Sequence, residues 1–346
     1  MIFSLSAAPN CDKIGIVFRK EGDGVPVWGI VLCVAAGLFG LWMLIGWLLF
    51  RVACVPRGLA NEKQLIQKLE KIAAPELVAA IDEALQQVQA LAREDVFVQS
   101  ADGLRLRARY FAAAPQNKRV LMLFHGWNSY AEFDFSLAIP AFLERGWDLL
   151  VVDQRAQNDS EGKYMTFGAW ESRDVLAWAQ FVVDRCGEDV VIALDGLSMG
   201  ASTVMLSMGL PLPPQVKGVI ADCGFDSAVS EMAHLGRQMH MPTRWILPAM
   251  DFWAKRLAHF SFYDTDTAKA IAQSDLPILL AHGTADTFVP PACSQRNAAV
   301  CRNLHTFIEA EGAIHGFSYL MATEQYQAAL TALFDTICPQ TKTHKE

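Results

Sequence analysis

The sequence predicts an α/β protein: a mostly parallel, doubly wound sheet with a helical cap inserted late, preceded by a single transmembrane helix. Three observations predict it. From residue 120 onward, short apolar runs alternate with segments of helical periodicity. The runs are apolar at every position, as strands covered on both faces are. Polar residues gather just past the carboxyl ends of these runs, where doubly wound sheets bind their ligands.

Composition bounds the rest. The chain has 346 residues, 52% of them hydrophobic, which is enough for one large domain with additional segments. A net charge of −8 argues against a nucleic-acid partner, which requires a basic face. The eight cysteines form no C-x-x-C and lie in apolar segments, so free and mostly buried thiols are expected rather than a disulfide framework. There is no G-x-G-x-x-G after a strand, no Walker loop and no H-E-x-x-H, so neither cofactor nor metal is expected.

Residues 1–24 read as an amino-terminal tail and residues 25–50 as a membrane span. No charged residue falls between Asp23 and Arg51. As a helix, the apolar stretch 27–50 would extend roughly 36 Å, against about 30 Å for a bilayer core. Trp28 and Trp47 stand where the two interfaces would be. A cleaved signal peptide fits less well, because the leader carries Asp12, Glu21 and Asp23 and the apolar run is too long. The expectation is an uncleaved single-pass anchor in the cell membrane. Lys13, Arg19 and Lys20 precede the span and Arg51, Arg57 and Lys63 follow it, so charge leaves its orientation open.

Residues 51–93 read as a helical linker or stalk. Pro56-Arg57-Gly58 breaks the membrane helix, and Asn61 can cap a short helix with Leu65, Ile66, Leu69 and Ile72 at helical spacing. Pro75 ends that turn or opens the next helix, whose apolar face holds Leu77, Val78, Ile81, Leu85, Val88 and Leu91. The repeat covers too few heptads for a dimer seam, so this helix is expected to pack on the following domain.

A catalytic domain is expected over residues 94–338. It opens with a hairpin: a strand at 96–98, an Asp102-Gly103 turn, and an alternation of Leu104, Leu106, Ala108 and Tyr110 with Arg105, Arg107 and Arg109 that predicts one wet face. Strands follow at 120–124, 147–152, 190–194, 216–221, 276–281 and 304–309. Helices are expected at about 135–145, 169–184, after residue 198, and at 318–336. Between about 225 and 275 the alternation stops, and methionines and aromatics such as Met232, Met239, Trp245, Phe252 and Phe260 predict a helical cap over the site.

The chemistry centres on Gly196-Leu197-Ser198-Met199-Gly200. A strand leads in and a helix leads out, the context of a nucleophile elbow. The glycines two before and two after the serine let the backbones pass closely, and the new helix aims the Met199 N–H at a reacting carbonyl. Serine needs a base to take its proton, and histidine does this near neutral pH. A carboxylate must then hold the imidazole tautomer and stabilise its cation. His315 follows the last strand and Asp286 the one before it. Ser198, Asp286 and His315 thus stand in the order nucleophile, acid, base, each after a strand.

On His125-Gly126-Trp127, Asp153-Gln154-Arg155, Ser160-Glu161-Gly162, the elbow, Ala221-Asp222-Cys223-Gly224-Phe225, His282-Gly283-Thr284-Ala285-Asp286 and His315-Gly316-Phe317, residues 95–336 resemble the α/β-hydrolase superfamily of serine hydrolases. Within it, they are similar to the branch of serine-aminopeptidase-like, prolyl-oligopeptidase-like, bile-acid-acyltransferase-like and membrane-anchored esterase-like proteins. The resemblance implies an α/β-hydrolase fold. It also implies an oxyanion hole made by the backbone N–H groups of Trp127 and Met199, a structural role for His125, and Asp222 as the reserve for the triad acid. Ala156-Gln157-Asn158 stands where relatives often carry Gly-His-Gly, a departure in the shape of that loop. The function implied is hydrolysis of an ester or thioester of a small, apolar acyl substrate. A serine-aminopeptidase-type peptidase is the alternative, and a non-catalytic anchored scaffold the last. The sequence says nothing of oligomeric state.

Overall fold

The computed structural model describes residues 27–58 and 62–338. The tail over 1–24 with Cys11, the first two residues of the expected span, and the cap at Asn61 lie outside the described residues. The chain divides into two compact units, residues 1–42 and 43–346.

In the first unit the described residues are helical and form the amino-terminal part of α1 (Val27–Cys54). Val27, Trp28, Leu32 and Leu38 are exposed, and the helix is apolar all round. By length and composition α1 can cross a membrane: its 28 residues extend about 42 Å. The helix continues past residue 50, because nothing in Arg51-Val52-Ala53-Cys54 stops it before Pro56.

The second unit begins with the last turns of α1. Gly46 packs so closely on Ala249 that a Cβ there would lie 2.4 Å from the Ala249 Cβ. The Trp253 indole donates to the Met43 carbonyl (2.9 Å), and Phe50, Ala53 and Cys54 are buried with Phe225, Leu247 and Met250. The carbonyls at the helix end are met from the domain, Ala53 O by the Trp127 indole N–H (2.9 Å) and Cys54 O by the Met165 N–H (2.7 Å). After α2 (Glu62–Leu69) comes α3 (Pro75–Ala90), which starts with Pro75 in its first turn and buries Val78, Ile81, Leu85 and Val88. Val78 and Ile81 meet Ala310, Ala313 and Phe317, so α3 lies on the folded body.

The strands are β1 (Glu94–Gln99), β2 (Arg105–Phe111), β3 (Arg119–Phe124), β4 (Asp148–Val152), β5 (Val191–Leu197), β6 (Val216–Asp222), β7 (Ile278–Gly283) and β8 (Leu304–Ala310). They form one sheet in the order β1-β2-β4-β3-β5-β6-β7-β8. β1, β2 and β4 pair antiparallel, and every other pairing is parallel. The uniformly apolar run of β3 is explained by two covered faces. Val120, Met122 and Phe124 meet Val175, Trp178 and Val204, while Leu121 and Leu123 meet Phe142, Leu330 and Phe334.

The arginine face of the hairpin is exposed at Arg105 and half-buried at Arg107 and Arg109, which are ion-paired. Arg107 pairs with Asp95, Asp153 and Asp159, and Arg109 with Glu132 and Asp153, whose side chain is wholly buried. Asp95 comes from the neighbouring strand β1, but Glu132, Asp153 and Asp159 come from beyond the hairpin, so alternation alone could not reveal them.

Around the sheet lie α4 (Ala131–Asp134), α5 (Ile139–Glu144), α6 (Glu171–Cys186), α7 (Met199–Ser207), α8 (Ala228–Gln238), α9 (Thr243–Trp253), α10 (Thr267–Ile271), α11 (Ala292–Val300), α12 (Ser318–Met321) and α13 (Thr323–Ile337). The single helix expected near 135–145 is two short ones, since Pro140 suits only a first turn and the chain restarts there. The last helix is broken at Ala322. The sequence reading missed α11, whose Ala-Cys-Ser-Gln-Arg-Asn start carries no apolar stripe. In the segment 225–275, α8 and α9 are joined through His240, with Pro248 inside α9 and a π-helical turn, Ala254–Ala258, after it. Of the cysteines, all seven described are free, but only Cys54, Cys223 and Cys293 are fully buried; Cys33 lies exposed on α1.

Candidate active site

β5 ends at Leu197 and α7 begins at Met199, so Ser198 alone makes the turn, at φ 56° and ψ −116°. A non-glycine residue holds such a conformation only where its surroundings impose it. Here the Ser198 N–H donates to Asp222 O (2.9 Å), while its carbonyl accepts from the Ser202 N–H (3.1 Å). A Cβ on Gly196 would lie 2.3 Å from Gly200 O, and one on Gly200 would lie 1.9 Å from Phe124 O. Both glycines are present for close backbone approach, not for their own dihedrals.

The structure brings Ser198, His315 and Asp286 together. His315 Nε2 is 2.9 Å from Ser198 Oγ, and His315 Nδ1–H donates to Asp286 Oδ2 at 2.7 Å. This fixes the tautomer in which Nε2 faces the serine as an acceptor. Asp286 is held from all sides. Its Oδ1 accepts the N–H groups of Phe288 and Val289, at 2.9 Å each. Burial pushes its carboxyl up, but hydrogen bonds from His282 and His315 and their charge outweigh this and bring it down to about 2. His282 was legible only as part of a motif. Its Nε2 lies 3.2 Å from Asp286 Oδ2 and 3.0 Å from Val289 O, and its Nδ1 faces Ser294 Oγ at 2.6 Å. It is a second, wholly buried brace on the same carboxylate.

Asp222 does not reach His315; its carboxylate accepts from the Ser318 hydroxyl (2.7 Å). His125 is fully buried, with Nδ1–H on Gly126 O (2.8 Å) and Nε2 accepting the Gln154 N–H (3.2 Å), and burial pulls its pKa down. It is a neutral loop residue.

Trp127 and Met199 border Ser198 from two directions. The Trp127 loop is shaped by Asp134, which accepts from Gly126 N–H (2.7 Å) and Ser129 Oγ (2.6 Å). Among the described residues the Trp127 N–H has no acceptor, and the Met199 N–H opens α7, where no preceding turn can receive it. The departing Ala156-Gln157-Asn158 loop is ordered by side chains. Ala156 and Asn158 take positive φ (62° and 53°), Gln157 Oε1 accepts from Asn128 N–H, and Asn158 Nδ2 donates to Ser129 O.

Ser198 stands where two cavities meet. One, of about 270 Å³, lies towards Ser129, Phe133, Asp134 and Tyr319. The other, of about 210 Å³, lies under the cap and is bounded by Leu49, Met199, Phe225, Met232, Leu247 and Met250. Trp127, Ser198 and Phe288 belong to both. The second also contains Glu231, which is pushed up to about 8 by burial and then by the carboxylates of Asp286 and Asp226. Cys223, Asp286 and His315 bring three potential metal-ligating atoms within 4.8 Å of one another. Burial keeps the Cys223 thiol protonated, and the other two residues are bonded to each other, so the set is a poor metal site.

Residues 119–242 match the family model described as the alpha/beta hydrolase fold. Among curated proteins, YqkD of Bacillus subtilis (strain 168) is 25% identical over 202 residues, which is 58% of this chain and 66%, just under two thirds, of YqkD. Among solved structures, the Pyrococcus furiosus esterase Pf2001 superposes with a TM-score of 0.58 at 20% identity, covering 72% of this chain and 93% of that one. The Pyrococcus horikoshii acylaminoacyl peptidase gives 0.53 at 15%, covering 75% and 44%. A puromycin-hydrolyzing peptidase of Mycobacterium tuberculosis gives 0.55 at 17%, covering 72% and 40%. With the strand order, these likenesses show the α/β-hydrolase fold.

Proposed function

We propose that the chain is a membrane-anchored serine hydrolase acting on an ester or thioester of an apolar acyl group. The observation that carries this reading is the continuous line Ser198–His315–Asp286, whose serine stands in the wall of an apolar cavity. Ser198 attacks the acyl carbon while His315 takes its proton. Asp286 orients the imidazole and stabilises its cation. The N–H groups of Trp127 and Met199 hold the oxyanion, each worth about 2.7–4 kcal/mol of barrier. His315 then protonates the leaving group, and water repeats the sequence on the acyl-enzyme. Residues 25–50 serve as the single-pass anchor and residues 51–93 as the linker to the catalytic domain at 94–338. Support for an apolar acyl group comes from the anchor helix itself, whose Leu49 and Val52 contribute to the cavity wall. No oligomeric partner enters this mechanism.

The deciding experiment is a profile of p-nitrophenyl esters of graded acyl length, run beside aminoacyl amides and fluorophosphonate labelling. Ester turnover with labelling is expected. Turnover of the aminoacyl amides alone would reassign the chain to the aminopeptidase type, and no labelling of folded protein would leave only a scaffold.

Asp286→Asn tests the orienting role. The amide cannot hold the same tautomer, so kcat should fall by about 10⁴ with little change in KM. A loss under tenfold, read in steady-state kinetics, would show that His282 or the backbone positions His315 without the charge.

A further inference from the structure

The cavity under the cap is walled almost entirely by carbon and sulfur, and one ionisable side chain stands in that wall. Glu231, in the first turns of α8, is 3% exposed, and neither of its carboxyl oxygens has a hydrogen-bond partner. Its oxygens are the only carboxyl oxygens among the described residues that are both closed off from solvent and without a hydrogen-bond partner. Asp134 accepts from Gly126 and Ser129, Asp222 from Ser318, and Asp286 from four groups. Helix capping does not explain Glu231 either, because Ser227 already caps α8 through the Ser230 N–H. A carboxyl buried without partners destabilises the fold in either protonation state. A leucine there would match its apolar neighbours. An unmet acceptor in a binding cavity beside the nucleophile is a feature for which the ligand supplies the donor.

We propose that Glu231 is the specificity-determining acceptor of the acyl cavity, and that the acyl group it selects carries a hydrogen-bond donor, a hydroxyl or an ammonium, on its chain. This rests on the reading of Ser198 as the residue that receives the acyl group. A plain alkyl chain fills the cavity but leaves the carboxyl as unpartnered in the complex as before. A donor-bearing chain meets it, and the difference appears in kcat/KM. A site built around one polar contact rejects analogues that lack it far more strongly than an apolar pocket rejects a missing methylene.

The test uses the full-length protein and p-nitrophenyl octanoate, the set of its chain-hydroxylated isomers, and leucine p-nitrophenyl ester. Wild type should prefer one donor-bearing ester over octanoate by about a hundredfold or more in kcat/KM. Glu231→Leu should cut that ratio at least about tenfold, whereas a purely structural role would move all substrates together. Glu231→Gln separates the two donors: it keeps an acceptor oxygen for a hydroxyl but loses the charge an ammonium needs. Thermal unfolding checks that both variants are folded, and Glu231→Leu should be at least as stable as wild type. Ester turnover by wild type without any donor preference, or a preference that survives Glu231→Leu, overturns the proposal and leaves the hydrolase reading standing. No turnover of any ester and no fluorophosphonate labelling overturns both.

Discussion

Ser198→Ala and His315→Ala will each lower kcat by about 10⁶, and the double variant will be no slower than either alone. In the proposed mechanism the two side chains act as one unit, and the 2.9 Å contact between Oγ and Nε2 is the path for the proton. Without the serine there is nothing to activate, and without the histidine nothing activates it. What remains in all three variants is the contribution of binding and of the two N–H donors. Single-turnover assays measure the loss, and fluorophosphonate labelling reports it independently. Among the described residues the Ser198 side chain bonds only to His315, so Ser198→Ala should retain the wild-type unfolding midpoint. Multiplicative losses in the double variant, or labelling that persists in Ser198→Ala, would place the nucleophile elsewhere.

Gly200→Ala will cost the fold itself. The added methyl would stand 1.9 Å from Phe124 O, 2.5 Å from Phe124 C and 2.8 Å from His125 O. All three atoms are backbone at the end of β3, a strand paired on both sides and covered on both faces, so none can rotate away as a side chain would. The only relief is to lift α7 off β3, which unmakes the elbow and moves Met199 with it. Losses above about 4 kcal/mol come from overpacking of this kind. Thermal and urea unfolding measure it, with the yield of folded protein as a coarser index. A variant that melts with wild type would mean that the elbow has room the structure does not show.

What was legible in the sequence is what is local or strictly ordered. The elbow is five consecutive residues whose strand and helix lie on either side. Asp286 and His315 could be picked because each follows a strand and the order of strands sets their place. The rest is built across long sequence separations, where pattern has no reach. The Trp127 indole caps α1 from 74 residues away. The hairpin arginines meet acids contributed by other loops. Glu231 sits on an amphipathic helix, where a glutamate reads as a solvated side chain; only the folding of α9 and the β7–α11 loop over it makes it a cavity residue. His282 braces Asp286 across a turn that only the fold closes.

The meeting of two cavities at Ser198 has a kinetic consequence. If the acyl chain occupies the space under the cap, the departing group leaves through the chamber beside Phe133 and Asp134, and that chamber empties while the acyl-enzyme persists. Water is then one of several acceptors able to enter. An alcohol that fits the vacated chamber competes with it in proportion to its occupancy, so the same serine partitions its acyl group between hydrolysis and transfer, and the ratio of products is decided by the first chamber rather than by the residues that made the acyl-enzyme.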